Sequence, residues 1–290
     1  MTRYVPYSER VGATPPPERM QVGELSDELR RRLSNWWHRC SNRIYTHGTG
    51  YNCGYRFYDD RTHQGSQICY TEIWGRYQAE FPEDGRGFFD QCDNLFRTGS
   101  YFDVMNTLHF FLEMNFPQGY LVEQLERLLV DYNSPVTWND KEKTLIPHSS
   151  PEEGQTIVRA LASTKEGSFN GSHTHLMASI DHINCNNPAD SIRESIHAVE
   201  SVCRQMTGEK TLGPALSKLK KNHGLNEALK QGMDKIYGFT NTAQGIRHPI
   251  LEKEEELDLN DAQFMLGACA AFCSYLINKL APAEKQSSEP

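Results

Sequence analysis

The chain has 290 residues and a formal net charge of −8. This length allows one large or two medium-sized domains, each with its own core. Hydrophobic residues make up 38% of the chain and charged residues 23%, the proportions of an ordinary globular protein. The acidic balance argues against a broad basic surface that grips nucleic acid, so any contact with RNA would have to be local.

The cysteines and the apolar runs bear on where the protein works. Eight cysteines are present, and no two have the C-x-x-C spacing. Residues 1–12 are polar and lack the apolar segment of a secretory leader. The longest nearly continuous apolar run, 264–277, is too short to span a bilayer. We therefore expect a cytoplasmic protein with reduced thiols that serve as small core residues, and no contact with a membrane.

Residues 1–150 predict a helical N-terminal domain. Ser26, followed by Asp27 and Glu28, is typical of a helix start, and the helix should continue to about Ile44. The stretch at about 46–67 is rich in Gly, Asn, Asp and aromatic residues and predicts a long loop insertion. Apolar residues at helical spacing predict further helices, at about 68–79, 88–96, 101–115 and 121–130.

The hydrophobic period changes once, at about 135–147. Two short runs there, Val136-Thr-Trp138 and Thr144-Leu-Ile146, flank a polar turn. This arrangement predicts one β-hairpin. An isolated hairpin is only marginally stable, so we expect it to pack on helices.

Residues 151–281 predict a second helical domain. Its helical pattern begins at Pro151, is interrupted at 167–172, and breaks again before Pro188. A strongly amphipathic helix follows and ends at Gly208. Later helices are predicted at about 212–223, 225–237 and 261–281, and residues 282–290 have the composition of a disordered tail. The fold class predicted for the whole chain is therefore all-α.

The loop Y-G-F-T-N-T-A-Q-G-I-R-H-P, at 237–249, separates the last two helices. Pro249 disfavours a helical backbone at His248, which stands next to Arg247. An imidazole beside a guanidinium suits metal-free cleavage of a phosphodiester, because the first can move a proton and the second can stabilise negative charge. In the alternative interpretation the pair is structural, with Arg247 bound to the acidic run 252–258 and His248 to a buried carbonyl.

Two further groups contain residues of metal-binding type. His173, His175, His182 and Cys185 are close in sequence, but His173 and His175 would point about 200° apart on a helix. Their spacing matches no zinc pattern, so the sequence predicts no metal site. Cys269 and Cys273, four residues apart on the most apolar helix, favour core packing.

The first predicted helix raises two other possibilities. Five residues separate Arg32 from His38, which fits the R-x(4–6)-H signature of some ribonucleases. Aromatic residues in this part, among them Trp36 and Trp37, could stack on nucleic acid bases or fill the core, and core packing is the favoured interpretation.

Several C-terminal segments resemble the AbiJ-type abortive-infection proteins of bacteria, in the module known as the fourth type of AbiJ N-terminal domain. The segments are S-I-R-E-S-I-H-A-V-E (191–200), T-G-E-K-T-L-G-P-A-L (207–216), H-G-L-N-E-A-L (223–229), I-Y-G-F-T (236–240), G-I-R-H-P (245–249) and D-A-Q-F-M-L-G-A-C-A-A-F-C-S-Y-L-I (261–277). Residues 7–12 and 25–33 also fit.

The resemblance implies an HEPN-like helical bundle in the C-terminal half and a role in defence against phage. HEPN ribonucleases act as homodimers, in which an R-x(4–6)-H motif from each subunit faces a shared cleft. In this chain the arginine is adjacent to the histidine, and Asn241 stands where a spaced arginine would be. We assign Arg247 and His248 as catalytic and expect Asn241, Gln244, Lys220 and Lys221 to contact nucleic acid, with no metal or other cofactor.

Two functions remain open. In the first, the protein is a metal-independent endoribonuclease whose dimeric Arg/His cleft cleaves RNA after a phage-derived trigger. In the second, it is a non-catalytic sensor or regulator that binds a phage component, a nucleic acid or a partner effector. The absence of R-x(4–6)-H from the loop and the acidic residues beside it favour the second.

Overall fold

The computed structural model describes residue 5 and residues 7–47, 54–116, 118–165, 168–242 and 257–280. These residues form mostly α-helices, with two short β-hairpins. The all-α prediction is confirmed. The chain divides into two compact units, residues 1–145 and residues 146–290.

The first unit contains six α-helices among its described residues. They are α1 (Tyr7–Arg10), α2 (Asp27–Ile44), α3 (Asp60–Ile68), α4 (Gly85–Thr98), α5 (Tyr101–Glu113) and α6 (Tyr120–Asp131). The predicted start of α2 is confirmed, because the Ser26 side chain accepts a hydrogen bond from Leu29 N. A π-helical turn (Cys69–Ile73) follows α3, and a 3₁₀ turn (Gln78–Glu80) precedes α4.

Aromatic side chains of α2, α4 and α5 form the core of this unit. Trp37 is fully buried, stacks on Phe89 at a centroid distance of 5.4 Å, and meets Phe96 edge-on at 5.5 Å. Its indole N–H donates to the Phe89 carbonyl at 3.1 Å, and that of Trp36 donates to the Leu121 carbonyl at 2.8 Å. Both tryptophans therefore lie in the core with their polar atoms bonded, and neither can stack on a base.

The prediction of a loop over 46–67 is wrong for most of its described residues. Strand β1 (Tyr45–His47) pairs antiparallel with β2 (Tyr55–Phe57), with Tyr45 opposite Phe57. Helix α3 then begins at Asp60, capped by the Asp59 side chain, which accepts from Thr62 N at 2.7 Å. Cross-strand aromatic contacts and this N-cap stabilise regular structure in a stretch whose glycine and asparagine content suggested none. Residues 48–53 lie outside the described part of the chain.

The hairpin predicted at about 135–147 is confirmed. Strand β3 (Val136–Asn139) pairs with β4 (Thr144–Pro147). The Asn139 side chain accepts from the backbone N–H of Lys141 at 3.1 Å, which stabilises the turn. Val136 and Trp138 are buried, and β3 packs on α6.

The second unit contains six further helices in its described part. They are α7 (Pro151–Lys165), α8 (Asn170–Asn184), α9 (Pro188–Thr207), α10 (Leu212–His223), α11 (Glu227–Thr242) and α12 (Leu259–Leu280). Gly208 and Gly224 follow α9 and α10 with φ of 76° and 69°, the left-handed C-cap that glycine adopts without strain.

Helix α9 lies at the centre of this second unit. It packs most extensively against α8 and α12, and α12 also packs against α7. The buried face of α12 includes Cys269 and Cys273, which confirms their packing role, and Ser172 Oγ on α8 lies 3.7 Å from Cys273 Sγ. No helix in the described part of the chain is long and apolar enough to cross a membrane.

Candidate functional site

The catalytic pair assigned from sequence falls outside the described residues. Arg247 and His248, together with Gln244, belong to the connection between the end of α11 at Thr242 and the start of α12 at Leu259. The backbone of Asn241 lies in the last turn of α11.

The acidic run beside this connection is described only at its end. The Asp258 carboxylate accepts from the backbone N–H groups of Asn260 at 2.8 Å and Asp261 at 2.9 Å. These bonds stabilise the ionised carboxylate and lower its pKa, the bond from Asp261 contributing most. Asp258 therefore serves as the cap of α12. Arg247 and residues 252–256 lie outside the described part of the chain, so the clasp between Arg247 and the acidic run stays a prediction.

The lysines expected to contact nucleic acid lie in the last turn of α10. Lys220 and Lys221 are both exposed, and Lys220 Nζ lies 2.7 Å from Glu227 Oε2 at the start of α11. Asn241 is fourteen residues further along α11, which at 1.5 Å per residue is about 21 Å away. The two lysines and the backbone of Asn241 therefore lie at opposite ends of α11, while Gln244 lies outside the described residues.

The sequence predicts no metal site at His173, His175, His182 and Cys185, and in the structure the first two of these histidines contact different helices. The half-buried His173 faces α7, where its Nδ1 lies 3.2 Å from the Leu161 carbonyl. His175, two residues later, points toward α9 and meets Glu194 and His197. Neither His182 nor Cys185 belongs to a cluster of three ligand-type side chains among the described residues. The sequence prediction compared His175 only with its neighbours in the chain, and its partners in the structure lie on α9.

His175, Glu194 and His197 form a compact cluster between α8 and α9, which we call the α8–α9 triad. His175 Nδ1 lies 2.6 Å from Glu194 Oε2, and His197 Nδ1 lies 3.7 Å from Glu194 Oε1. One ligand atom from each residue falls within 4.8 Å of the other two. The two imidazoles meet edge-on at a centroid distance of 5.3 Å and an interplanar angle of 64°.

Close packing of small residues on both sides brings the triad together. One turn beyond His175, Ser179 Oγ lies 2.9 Å from Ser191 Oγ and 2.8 Å from Ser195 Oγ, all three side chains being buried. One turn before it, a Cβ added at Gly171 would lie 2.6 Å from Ser201 Oγ. Because α8 and α9 approach closely at both points, the triad sits on a rigid segment of the helix pair.

The charged side chains around the triad are mostly carboxylates. Arg193 Nη2 lies 2.5 Å from Asp190 Oδ1, while its Nε lies 4.0 Å from Glu194 Oε1. Asp190 is therefore the closer ion-pair partner of Arg193. Burial lowers the pKa of His197, and Glu194 and Glu200 oppose this effect. The triad is also reachable from solvent, because the side chains of His175 and His197 are 36% and 33% exposed and that of Glu194 is 17% exposed.

A set of two imidazoles and one carboxylate has two chemical uses. It can hold a divalent transition metal through three ligands, or it can transfer protons through the hydrogen-bonded His175–Glu194 pair. A sequence signal did exist: Glu194-x-x-His197 is an i, i+3 pair on one helix face. The third member lies on another helix, however, and no local spacing identifies it.

The R-x(4–6)-H candidate in the first unit has structural partners instead. Arg32 Nε pairs with Glu28 Oε1 at 2.7 Å, and the Arg32 guanidinium lies over the Tyr132 ring at 5.2 Å. His38 Nε2 lies 3.3 Å from Asp93 Oδ1 and contacts Phe89 edge-on. Arg32 and His38 are thus held by different neighbours.

Comparisons of the chain with known protein families, with curated proteins and with solved structures find no match. The resemblance to AbiJ-type proteins therefore rests on the sequence segments alone.

Proposed function

We propose that the protein is an antiphage, abortive-infection defence protein whose second unit is an HEPN-like, RNA-cleaving module. The observation that carries this proposal is the placement of the AbiJ-like segments. Those at 191–200, 207–216, 223–229, 236–240 and 261–277 all fall on α9 to α12 or at their ends, within one helical unit. The G-I-R-H-P segment joins two of these helices, α11 and α12.

In the proposed reaction Arg247 and His248 act on a phosphodiester of RNA. His248 removes the proton from the 2′-hydroxyl or donates one to the leaving oxygen. Arg247 stabilises the negative charge on the phosphorane through paired N–H donors. This chemistry requires no metal, so cleavage should persist in EDTA.

The proposal includes a homodimer formed through the second unit, and α12 supports it. One face of α12 is buried, but Phe264 on another face is 62% exposed, and Leu229 of α11 is also exposed. A shallow apolar groove between α11 and α12 is lined in part by Met233, Phe272 and Tyr275. We propose that a second copy of this chain covers the surface formed by Phe264, Leu229 and this groove, since an apolar helix face is stabilised when a partner buries it.

A reducing, cytoplasmic setting is part of the same proposal. Seven of the eight cysteines lie in the described residues, and all seven are free thiols. Six of these seven are buried, and burial raises the pKa of several, including Cys40 and Cys273, each to about 12. Such thiols serve packing rather than chemistry.

One observation favours the non-catalytic alternative, a sensor or regulator. Lys220 is paired with Glu227, and Lys230 is paired with Asp234 at 2.7 Å. These carboxylates neutralise two lysines that would otherwise attract RNA to this region. The protein as a whole is acidic, so its long-range attraction for RNA is weak.

The decisive test compares RNA cleavage and phage protection between two histidine variants. His248→Ala should lower cleavage by about 10²- to 10⁴-fold with an unchanged melting temperature, because it removes the proton-transferring group. His38→Ala, the matched control from the first unit, should cleave and protect like the wild type. Arg247→Lys should also impair cleavage, since an ammonium cannot reproduce the paired contact to phosphate.

Two outcomes would contradict the proposal. If the wild type protects cells but cleaves no RNA, the sensor is the correct function. If His248→Ala cleaves and protects normally, the connection between α11 and α12 is not the active centre.

A further inference from the structure

We propose that the α8–α9 triad, His175, Glu194 and His197, binds a divalent transition-metal ion, with Zn²⁺ the best match. The proposal uses neither Arg247 nor His248 and does not depend on the proposed function. Glu194-x-x-His197 supplies two of its ligands from α9, and the third, His175, comes from α8.

The ligand set selects the class of ion. Two imidazoles and one carboxylate suit Zn²⁺ and its first-row neighbours, whereas Mg²⁺ and Ca²⁺ prefer oxygen ligands. Three protein ligands leave a fourth position for water or an anion, as in open zinc sites. The partial exposure of both imidazoles keeps that position reachable from solvent.

The geometry needs only small movements to accept an ion. Zinc binds nitrogen at about 2.0–2.1 Å and carboxylate oxygen at about 2.0–2.2 Å, so ligand atoms around one zinc lie roughly 3.3–3.5 Å apart. In the triad the His197–Glu194 distance of 3.7 Å is near this value, and the His175–Glu194 distance of 2.6 Å must lengthen. Side-chain rotation can supply this change while the helices stay fixed by Ser179 and its partners.

The local charges favour a cation as well. Glu194 supplies one negative charge, and Glu200 lies about one turn beyond His197 on α9. Arg193, the cation nearest to Glu194 in the described helices, is turned toward Asp190 at 2.5 Å. An ion bound between the imidazoles would link α8 to α9 at the most extensive helix contact of the unit.

The test uses the full chain with Cys53→Ser and Cys185→Ser, which removes the exposed thiol at 185 and the one outside the described residues. Co²⁺ is added as a spectroscopic probe, and Zn²⁺ is then titrated in competition. We expect the intense visible bands of four-coordinate Co²⁺, their loss on adding Zn²⁺, and a rise in melting temperature with Zn²⁺ because the ion binds only the folded state.

The variants are His197→Ala, His175→Ala and Glu194→Gln, the last of which keeps the size and hydrogen-bonding ability of the side chain. Each should lower Co²⁺ affinity by about 100-fold or more, since even losing a residue that merely supports a ligand costs about 10- to 100-fold. The matched control His182→Gln lies seven residues from His175 on α8 and should bind as the parent does. Melting temperatures without metal establish that each variant is folded.

Three results would overturn the inference. The first is a parent spectrum with only the weak bands of hydrated Co²⁺, which would leave His175–Glu194 as a structural hydrogen bond. The second is unchanged affinity in Glu194→Gln and both histidine variants. The third is loss of binding in His182→Gln. None of these outcomes depends on RNA cleavage, so this inference and the proposed function can fail independently.

Discussion

The aromatic core of the first unit and the α8–α9 contact of the second use their polar atoms in opposite ways. In the first, the buried tryptophans bond to backbone carbonyls and the aromatic rings pack around them, so Trp36 and Trp37 have no further chemistry to offer. In the second, the closest helix pair buries three serines and holds two imidazoles around a carboxylate that solvent can reach. Polar groups at a helix contact cost free energy unless they are bonded. At α8–α9 the three serines are bonded to one another, while the imidazoles and the carboxylate stay reachable from solvent.

The largest expected effect belongs to the first unit. Trp37→Ala should lower the free energy of unfolding by about 3–5 kcal/mol, because it removes a buried ring and leaves a cavity. Denaturant unfolding measures this loss. Tyr58→Ala, at a 50% exposed aromatic of the same unit, should change stability by less than about 0.5 kcal/mol. A small loss in Trp37→Ala would mean that the aromatic core does not stabilise this unit.

A smaller loss is expected at the α8–α9 contact. Ser179→Ala removes the hydroxyl that bonds to both Ser191 and Ser195, and should cost about 1–3 kcal/mol because two buried hydroxyls lose a partner. Ser217→Ala, at an exposed serine of α10, is the control. An unchanged stability in Ser179→Ala would show that the serine cluster does not hold the helices together, and would weaken the argument for a rigid triad.

The dimer surface can be tested next. Phe264→Glu should raise the dissociation constant of the homodimer at least about tenfold, since an aromatic side chain buried at an interface typically contributes 1 kcal/mol or more. Light scattering across a dilution series measures the change. Tyr77→Glu, at a 79% exposed aromatic in the first unit, should have no effect. A wild-type protein that stays monomeric at tens of micromolar contradicts both the dimer and the shared cleft.

The smallest effect is expected for His38→Ala. The contact of His38 with Asp93 is half-exposed, so its loss should cost no more than about 1 kcal/mol. A fall in RNA cleavage without a fall in stability would contradict the assignment of catalysis to the second unit, because it would place catalysis at the Arg32–His38 pair of the first.

Local patterns predicted much of the fold. The N-cap at Ser26, the breaks before α8 and α9, and the hairpin at Val136–Pro147 all follow from short-range signals. The prediction of a loop over 46–67 was wrong because the glycine and asparagine content of this stretch is typical of loops. The structure has a pair of three-residue strands there, and their stability depends on cross-strand aromatic contacts.

The candidate site was harder to predict because its residues come from separate helices. Glu194 and His197 are neighbours on one helix face, but His175 meets them only through the pairing of α8 with α9. That pairing depends on serines whose small size matters only once the helices are in contact. Comparing His175 with its sequence neighbours His173, His182 and Cys185 could not reveal these partners.

Anomalous X-ray diffraction tests most directly whether the α8–α9 triad binds zinc. Crystals grown with Zn²⁺ would be measured on both sides of the zinc absorption edge. We expect one strong anomalous peak within about 2.0–2.2 Å of ligand atoms of His175, Glu194 and His197. Strong peaks elsewhere with none at the triad, or no peak at all, would contradict this expectation.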